Sequence, residues 1–256
     1  MKIEKITDTK IVESLFQGWE ETMIWSCLQG VMGEIYADNL QNPRSAMAIL
    51  GDFVFFAGEP CMDLILYKPD WCTKDFMILV PQNASWAELI ETCYGDRAKK
   101  TSRYAIRKEP DVFDRGKLRR AVASLPEEYS IRLIDEELYH RCRTLAWCKD
   151  WVAQYKDYDT FRRLGVGVVI LKDGELVSGA SSYASYQGGI EIEIDTHEQY
   201  RRRGLAYICG AGLILECLER NLYPSWDAQN LWSVALAEKL GYHYSHTYTV
   251  YEIWGN

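Results

Sequence analysis

The chain has 256 residues, 48% hydrophobic and 26% charged, a composition that excludes a disordered chain and suits one large domain or two of roughly 125 residues. Its formal net charge of -8 argues against a general nucleic-acid binder, which needs a basic surface to displace counterions from phosphates. A local basic cluster is therefore informative.

The start, Met1-Lys2-Ile3-Glu4-Lys5-Ile6, mixes charged with apolar residues where a secretory signal needs an unbroken apolar run. No stretch approaches the ~18 apolar residues that span a bilayer. The expected setting is cytoplasmic, without a membrane partner. Ala46 to Gly58, broken by a turn at Gly51-Asp52, reads as strand, as do Met62 to Tyr67 and Phe76 to Val80, and Ser85 to Tyr94 reads as a short helix capped by Ser85. Between residues 108 and 130 the chain becomes charged and is punctuated by Pro110, Gly116 and Pro126, which places a boundary near residue 125, with units 1–125 and 126–256.

Downstream, Tyr129 to Ile134 reads as a strand and Glu136 to Ala153 as mostly helical. Gly165 to Leu171 is an apolar strand, turned by Lys172-Asp173-Gly174 into a return strand from Glu175 to Tyr183. A second turn, Gln187-Gly188-Gly189, leads into Ile190 to Thr196. Then come an arginine-glycine segment, a helix from about Leu205 to Arg220, a strand around Trp226, a helix from Leu231 to Leu240 ended by Gly241, and a closing strand through Tyr242 to Trp254. This order predicts a mixed α/β (α+β) fold with a mixed central sheet flanked by helices.

The chemistry gathers in the second half. Arg201-Arg202-Arg203-Gly204-Leu205-Ala206 follows a strand and opens a helix, so first-turn N–H groups point out of a helix N-terminus and can bind an anion. Gly204 lets a pyrophosphate approach the backbone, Ala206 keeps the next turn narrow, and the arginines offer bidentate phosphate contacts. A solvated basic turn is the plain structural alternative. The strand before it alternates Ile190, Ile192 and Ile194 with Glu191, Glu193 and Asp195, so one face is core and the other acidic. A carboxylate face on a central strand must border a wet cleft or a cation, because burying unpaired charge is costly; on an edge strand it would simply face water.

The arginine-glycine segment resembles the R/Q-x-x-G-x-G/A signature of the GNAT superfamily of acetyl-CoA-dependent N-acyltransferases. Asn230-Leu231-Trp232-Ser233-Val234-Ala235-Leu236-Ala237-Glu238-Lys239-Leu240-Gly241-Tyr242 is similar to that superfamily's second element, N-x-x-A-x-x-L-Y-E-K-L-G-F. The layout of the whole chain, with Ser178-Gly179-Ala180-Ser181, Gly204-Leu205-Ala206, Trp226-Asp227-Ala228 and Leu236 to Tyr242, resembles the two-domain GNAT group that includes the zwittermicin A resistance acetyltransferase. The resemblance implies a degenerate GNAT-like domain before residue 125 and a catalytic one after it. It also implies acetyl-CoA as co-substrate, a small-molecule amine as acceptor, direct attack without a covalent enzyme intermediate, and no metal; a homodimer is compatible with it.

Only neutral nitrogen attacks a thioester, and an alkylammonium with a pKa near 10.4 is less than about one part in a thousand neutral at pH 7. A carboxylate can take that proton directly or through water; Glu193 and Glu191 are the candidates, and their charge would also attract a cation. Amides near Ile194, Asp195 and Thr196 are implied to polarise the thioester carbonyl. Asn230 reads equally as a helix cap and as a partner of the pantetheine arm, and Ser233, one turn along, shares that ambiguity. Asp227 reads as a substrate-orienting or a turn residue.

The tyrosine that usually serves the superfamily as general acid is replaced by Ala237, leaving Tyr242, Tyr207 or water to take its place. A coenzyme thiol with pKa about 8.5 leaves tolerably even without such a donor. The missing tyrosine keeps open a second reading, a non-catalytic acyl-CoA-binding regulatory or interaction protein. His140, His197, His243 and His246 lack the spacing of a metal ligand set, and His197 reads as a surface turn residue. The eight cysteines contain no C-x-x-C pair and read as reduced, mostly buried thiols.

Overall fold

The computed structural model describes residues 2–255, and its contacts divide the chain into two units, Met1–Arg103 with Thr247–Asn256, and Tyr104–His246. The first begins with β1 (Glu4–Ile6), α1 (Thr22–Leu28), β2 (Glu34–Ala37), β3 (Ser45–Leu50) and β4 (Phe53–Gly58). It continues through α2 (Met62–Ile65), β5 (Phe76–Pro81), α3 (Ala84–Tyr94) and β6 (Lys99–Ile106), the strand that runs across the boundary. Strands β1 to β4 pair antiparallel in chain order, and β5 then adds parallel to β4.

The second unit holds α4 (Arg115–Ala123), β7 (Tyr129–Leu133), α5 (Glu136–Thr144), α6 (Tyr158–Leu164), β8 (Gly167–Lys172), β9 (Glu175–Tyr186) and β10 (Gly189–Thr196). After them come α7 (Leu205–Glu219), β11 (Tyr223–Ser225), β12 (Asp227–Ala228), α8 (Leu231–Leu240) and the start of β13 (Tyr244–Trp254). Strands β7 to β10 pair antiparallel in chain order, and β11 adds parallel to β10. Both units therefore repeat one plan, four antiparallel strands and a parallel fifth.

Each unit completes itself with a strand from the other half of the chain. Residues 251–254 of β13 pair with β5, and Tyr251 and Ile253 are fully buried in the first unit's core. Reciprocally, Tyr104 and Ala105 of β6 pair with β12 in the second unit. Residue 125, the expected boundary, falls inside the second unit. Helix α4 explains the difference: its charged surface suggested a linker, yet Leu118 and Ala121 are buried in the core that α7 anchors, an amphipathic pattern that composition alone hides.

Three local expectations also change. Residues 62–65 form a turn of helix: Leu64 and Ile65 are buried side by side while Met62 and Leu66 are 48% and 53% exposed, which is not strand alternation. The first cap of α3 is Asn83, whose side chain accepts from Trp86 N at 3.2 Å. The helix expected over 136–153 stops at Thr144, because Leu145 is extended, and a separate α6 begins at the Asp157 cap, which accepts from Thr160 N at 2.8 Å.

The second unit's sheet carries different loads on its two faces. Val168, Ile170, Ala180, Ile190 and Ile192 pack with α4 and α7 into one core. On the opposite face, Gly179 lies under the indole of Trp151, Ser181 Oγ donates to the Trp151 carbonyl at 2.7 Å, and Tyr155 Oη donates to Ser182 Oγ at 2.7 Å. The segment between α5 and α6 thus covers that face.

Three measurements check this architecture. Fragments 1–125 and 126–256 lack an exchanged strand and, respectively, Tyr251 or the α4 packing, so neither is expected to give a cooperative thermal transition when expressed alone. A Cβ at Gly179 would come 2.6–2.8 Å from the Trp151 ring carbons, so Gly179→Ala is expected to lose about 1–3 kcal/mol in denaturant unfolding. Six of the eight cysteines are buried and Cys61 and Cys93 half-buried, and burial pushes the Cys27, Cys209 and Cys217 thiols up to about 12. A thiol-reactive dye at pH 8 should label Cys61 and Cys93 first and the rest only on unfolding.

Candidate active site

The parallel pairing of β10 with β11 covers only Gly189, Ile190 and Glu191, opposite Tyr223, Pro224 and Ser225. Beyond Ser225 the chain turns away at Trp226, and Asp227 and Ala228 pair instead with Ala105 and Tyr104. From Ile192 to Thr196, β10 therefore keeps β9 on one side and has no strand on the other. In an antiparallel ladder every second amide of a strand points away from its partner, so this stretch presents backbone donors and acceptors to a gap. The sheet is opened there as a wedge.

Two helices start beside the gap. Gly204 caps α7 with φ 80° and ψ 1° and makes no side-chain cap bond, a left-handed conformation that favours glycine. The first helical bond runs from Ile208 N to Gly204 O at 3.2 Å, so the amides of Leu205, Ala206 and Tyr207 have no intrahelical partner and point outward. A Cβ built on Gly204 would meet nothing within 4 Å, so the approach to these amides is open. A phosphate-bearing ligand fits such a cradle.

The three arginines divide the work unequally. Arg201 Nε donates to Thr196 O at 3.1 Å, with Nη2 3.6 Å from Asp195 Oδ1. Arg203 donates to Gln199 O at 3.1 Å and lies 5.1 Å over the Tyr200 ring. Both brace the loop itself, a structural role beside the phosphate contacts expected of the three arginines. Arg202, at φ 62°, is exposed, and among the described residues nothing holds its guanidinium.

The acidic face behaves as its alternation requires, with one difference of degree. Glu193, Ile194 and Asp195 are half-buried, whereas Glu191 is only 5% exposed. It lies among Tyr186, Tyr223 and Tyr242: burial pushes the Tyr186 phenol up to about 12, and the Glu191 charge adds to the effect. The same two causes raise Tyr223 and Tyr242. Tyr186 Oη lies 2.8 Å from Ser225 Oγ, where the wedge begins; the sequence reading passed over this tyrosine, whose one signal was its place beside the Gly188-Gly189 turn. Of the amides expected to polarise a carbonyl, that of Thr196 already donates to Asp195 Oδ1 at 2.6 Å, which leaves the amides nearer the centre of β10.

On the second helix, Asn230 Oδ1 accepts from Ser233 N at 3.0 Å, so the capping role of Asn230 is realised while its amide nitrogen stays at the surface. Ser233 Oγ accepts from Trp226 Nε1 at 3.0 Å, fixing that hydroxyl against the strand end. Ala237 is fully buried and carries no proton. Tyr242 cannot replace the missing acid: it is buried, its hydroxyl donates to Pro224 O at 2.6 Å, and its pKa is raised well above the ordinary value. Tyr207 is half-buried under the Lys239 ammonium, 4.3 Å from its ring centroid. His197 opens the turn over Glu198–Tyr200, as expected, but is half-buried rather than on the surface: its ring lies 5.3 Å from Trp147 and 6.0 Å from Tyr200, and its amide donates to Val177 O. Among the described residues no group of His, Cys, Asp or Glu is placed to hold a metal, and no helix is long and apolar enough to cross a membrane.

The comparison with known proteins agrees with this geometry. The chain is 49% identical to a GCN5-related N-acetyltransferase-like protein from Streptococcus suis 89/1591, whose crystal structure superimposes with a TM-score of 0.91 over 96% of this chain and 98% of that one. It is 27% identical over 244 residues, 90% of this chain and 89% of the relative, to the uncharacterized N-acetyltransferase YdfB of Bacillus subtilis (strain 168). A tandem GNAT protein from the clavulanic acid biosynthesis pathway shares the fold at 11% identity, with a TM-score of 0.52 over the full length of this chain and 99% of that one. The family described as GNAT acetyltransferase matches residues 13–251, nearly the whole sequence including the wedge and both helix starts, and the chain belongs to that family of N-acetyltransferases.

Proposed function

We propose that the protein transfers an acetyl group from acetyl-CoA to a primary amine of a small molecule by direct attack. The observation that carries the proposal is the wedge between β10 and β12, flanked by the open N-terminus of α7 and by Asn230. A bound acetyl-CoA supplies the electrophilic thioester carbon; the chain's own groups do the rest. The amides of Leu205, Ala206 and Tyr207, with Arg202, hold pyrophosphate oxygens. Outward-pointing amides between Ile192 and Asp195 hold the pantetheine arm and stabilise the carbonyl oxygen as it gains charge. Asn230 offers its amide nitrogen to the same arm.

Glu193, half-buried on the acidic face, takes the ammonium proton before attack, and Glu191 lies one pleat away on the same face to hold positive charge in the pocket. With Ala237 in the core and Tyr242 bonded to Pro224, water or Tyr207 protonates the departing thiolate. The repeated plan of the two units supports a tandem of GNAT-like domains. The second carries the coenzyme residues, and the first, which lacks an arginine-glycine loop, is the degenerate copy, as in the two-domain group that includes the zwittermicin A resistance acetyltransferase. The absent tyrosine favours the second reading, a protein that binds acyl-CoA without turning it over.

Thiol release and calorimetry separate the two readings. Gly204→Val places a branched side chain in the cradle at positive φ and is expected to weaken acetyl-CoA binding at least about tenfold. Glu193→Gln is expected to lower kcat about 100-fold while leaving the acetyl-CoA Kd within about twofold. Unchanged binding in the glycine variant sinks the coenzyme site. Tight binding with no thiol release from any amine, in wild type and Glu193→Gln alike, leaves the binding-protein reading.

A further inference from the structure

Trp151 Nε1, Gln154 Nε2 and His197 Nδ1, all in the second unit, are buried polar atoms with no hydrogen-bond partner among the described residues. Two of these side chains meet at one ring. The Trp147 ring stands edge-on to both Trp151 and His197, at centroid distances of 5.1 and 5.3 Å, and Gln154 follows Trp151 by three residues. Trp151 is only 1% exposed. A buried donor without an acceptor is destabilising, and native interiors leave few of them. Here two of the three side chains flank the Trp147 ring, and the third follows three residues along the chain.

Register fixes what this cluster faces. The Trp151 carbonyl accepts from Ser181 Oγ and its ring rests on Gly179, while Ser181 pairs with Glu193 and Gly179 with Asp195. Paired residues of antiparallel strands share a face, and neighbouring strands lie about 4.8 Å apart. Trp151 therefore lies on the same side of the sheet as the proposed proton acceptor. The Trp151 indole N–H and the Gln154 amide N–H ask for an oxygen acceptor. Glu191, Glu193 and Asp195 set its charge, because they attract an ammonium and repel a carboxylate.

We propose that Trp147, Trp151, Gln154 and His197 form the acceptor pocket, and that it selects primary amines bearing a neutral oxygen, a hydroxyl or an amide carbonyl, close to the nitrogen. The selectivity rests on the acetyl-transfer reading above. The aromatic rings hold the carbon skeleton and attract the cation by their faces, the carboxylates hold the nitrogen, and the indole N–H with the Gln154 amide holds the oxygen. A site built to bond a substrate oxygen rejects the analogue that lacks it.

The probes are leucinamide, leucinol, isoamylamine and leucine, which share one side chain and differ in the oxygen group, with thiol release from acetyl-CoA as readout. Wild type is expected to favour the first two over the last two by at least about tenfold in kcat/KM. Because the four amines differ in basicity, each variant is compared with wild type on the same probe. Trp151→Phe keeps a ring and removes the N–H. Its loss on leucinamide and leucinol should exceed its loss on isoamylamine by about tenfold, with the acetyl-CoA Kd unchanged. Gln154→Leu, on a half-buried residue, should act in the same direction and serves if the tryptophan variant does not fold. Equal effects on all four probes, or a preference for leucine, overturn the proposal and mean that the atoms hold ordered water only. If acetyl-CoA binds and none of the four is acetylated, the selectivity fails while the coenzyme site stands; if acetyl-CoA does not bind, the acetyl-transfer reading itself has failed.

Discussion

From Ile192 onward, β10 has a neighbour on one side only, and the site depends on that single missing pairing. A strand in the middle of a sheet normally spends both sets of backbone groups on its neighbours, and an unpaired set is a liability unless something covers it. Pro224, in the partner strand at the last shared rungs, has no N–H to give. Trp226 is then drawn into the core and Ser233 fixes its indole. The next residues leave to pair with β6. The gap is thus held open by packing on its far side.

Residues around the gap serve structure and chemistry at once. Arg201 and Arg203 brace the loop before α7 and leave Arg202 exposed; Asn230 caps α8 with one side-chain atom and keeps another at the surface. Glu191 is the sharpest case. Its carboxylate is buried beside three tyrosines whose phenols are held protonated by the same burial, so charge at this point is balanced against desolvation. That arrangement suits a pocket that exchanges a cation for water.

The reciprocal strand exchange gives the two halves a common fate in folding. Tyr251 and Ile253 lie in the core of the first unit although they are the last apolar residues of the chain but one, and β12 finds its partner more than a hundred residues upstream. The first 103 residues are then required by both cores, because they receive the end of β13 and lead into β6. Contacts this distant in sequence are formed late and only once both halves are ordered.

The sequence by itself determined the family, the arginine-glycine loop that opens a helix and the acidic strand, because those depend on short-range signals: a glycine that must adopt positive φ, an Ile/Glu alternation with period two, an Asn cap and an Asp-Gly turn. It named Ala237 as a vacancy for the same reason, since a motif position is a local fact. Tertiary structure alone decided what lay beyond that range. The compact units divide at Tyr104 rather than near 125, because the apolar stripe of α4 is sparse in a charged helix and is recognised only against α7. The segment from Leu145 to Ala153 reads as more of a helix, and His197 as a surface residue, since nothing local shows that Trp151 packs over Gly179 and Ser181. Tyr242 remained a possible acid until its hydroxyl was found bonded to Pro224. Partners set by burial and by long-range pairing leave no periodic trace in a sequence; they exist only once the sheet has brought distant residues together.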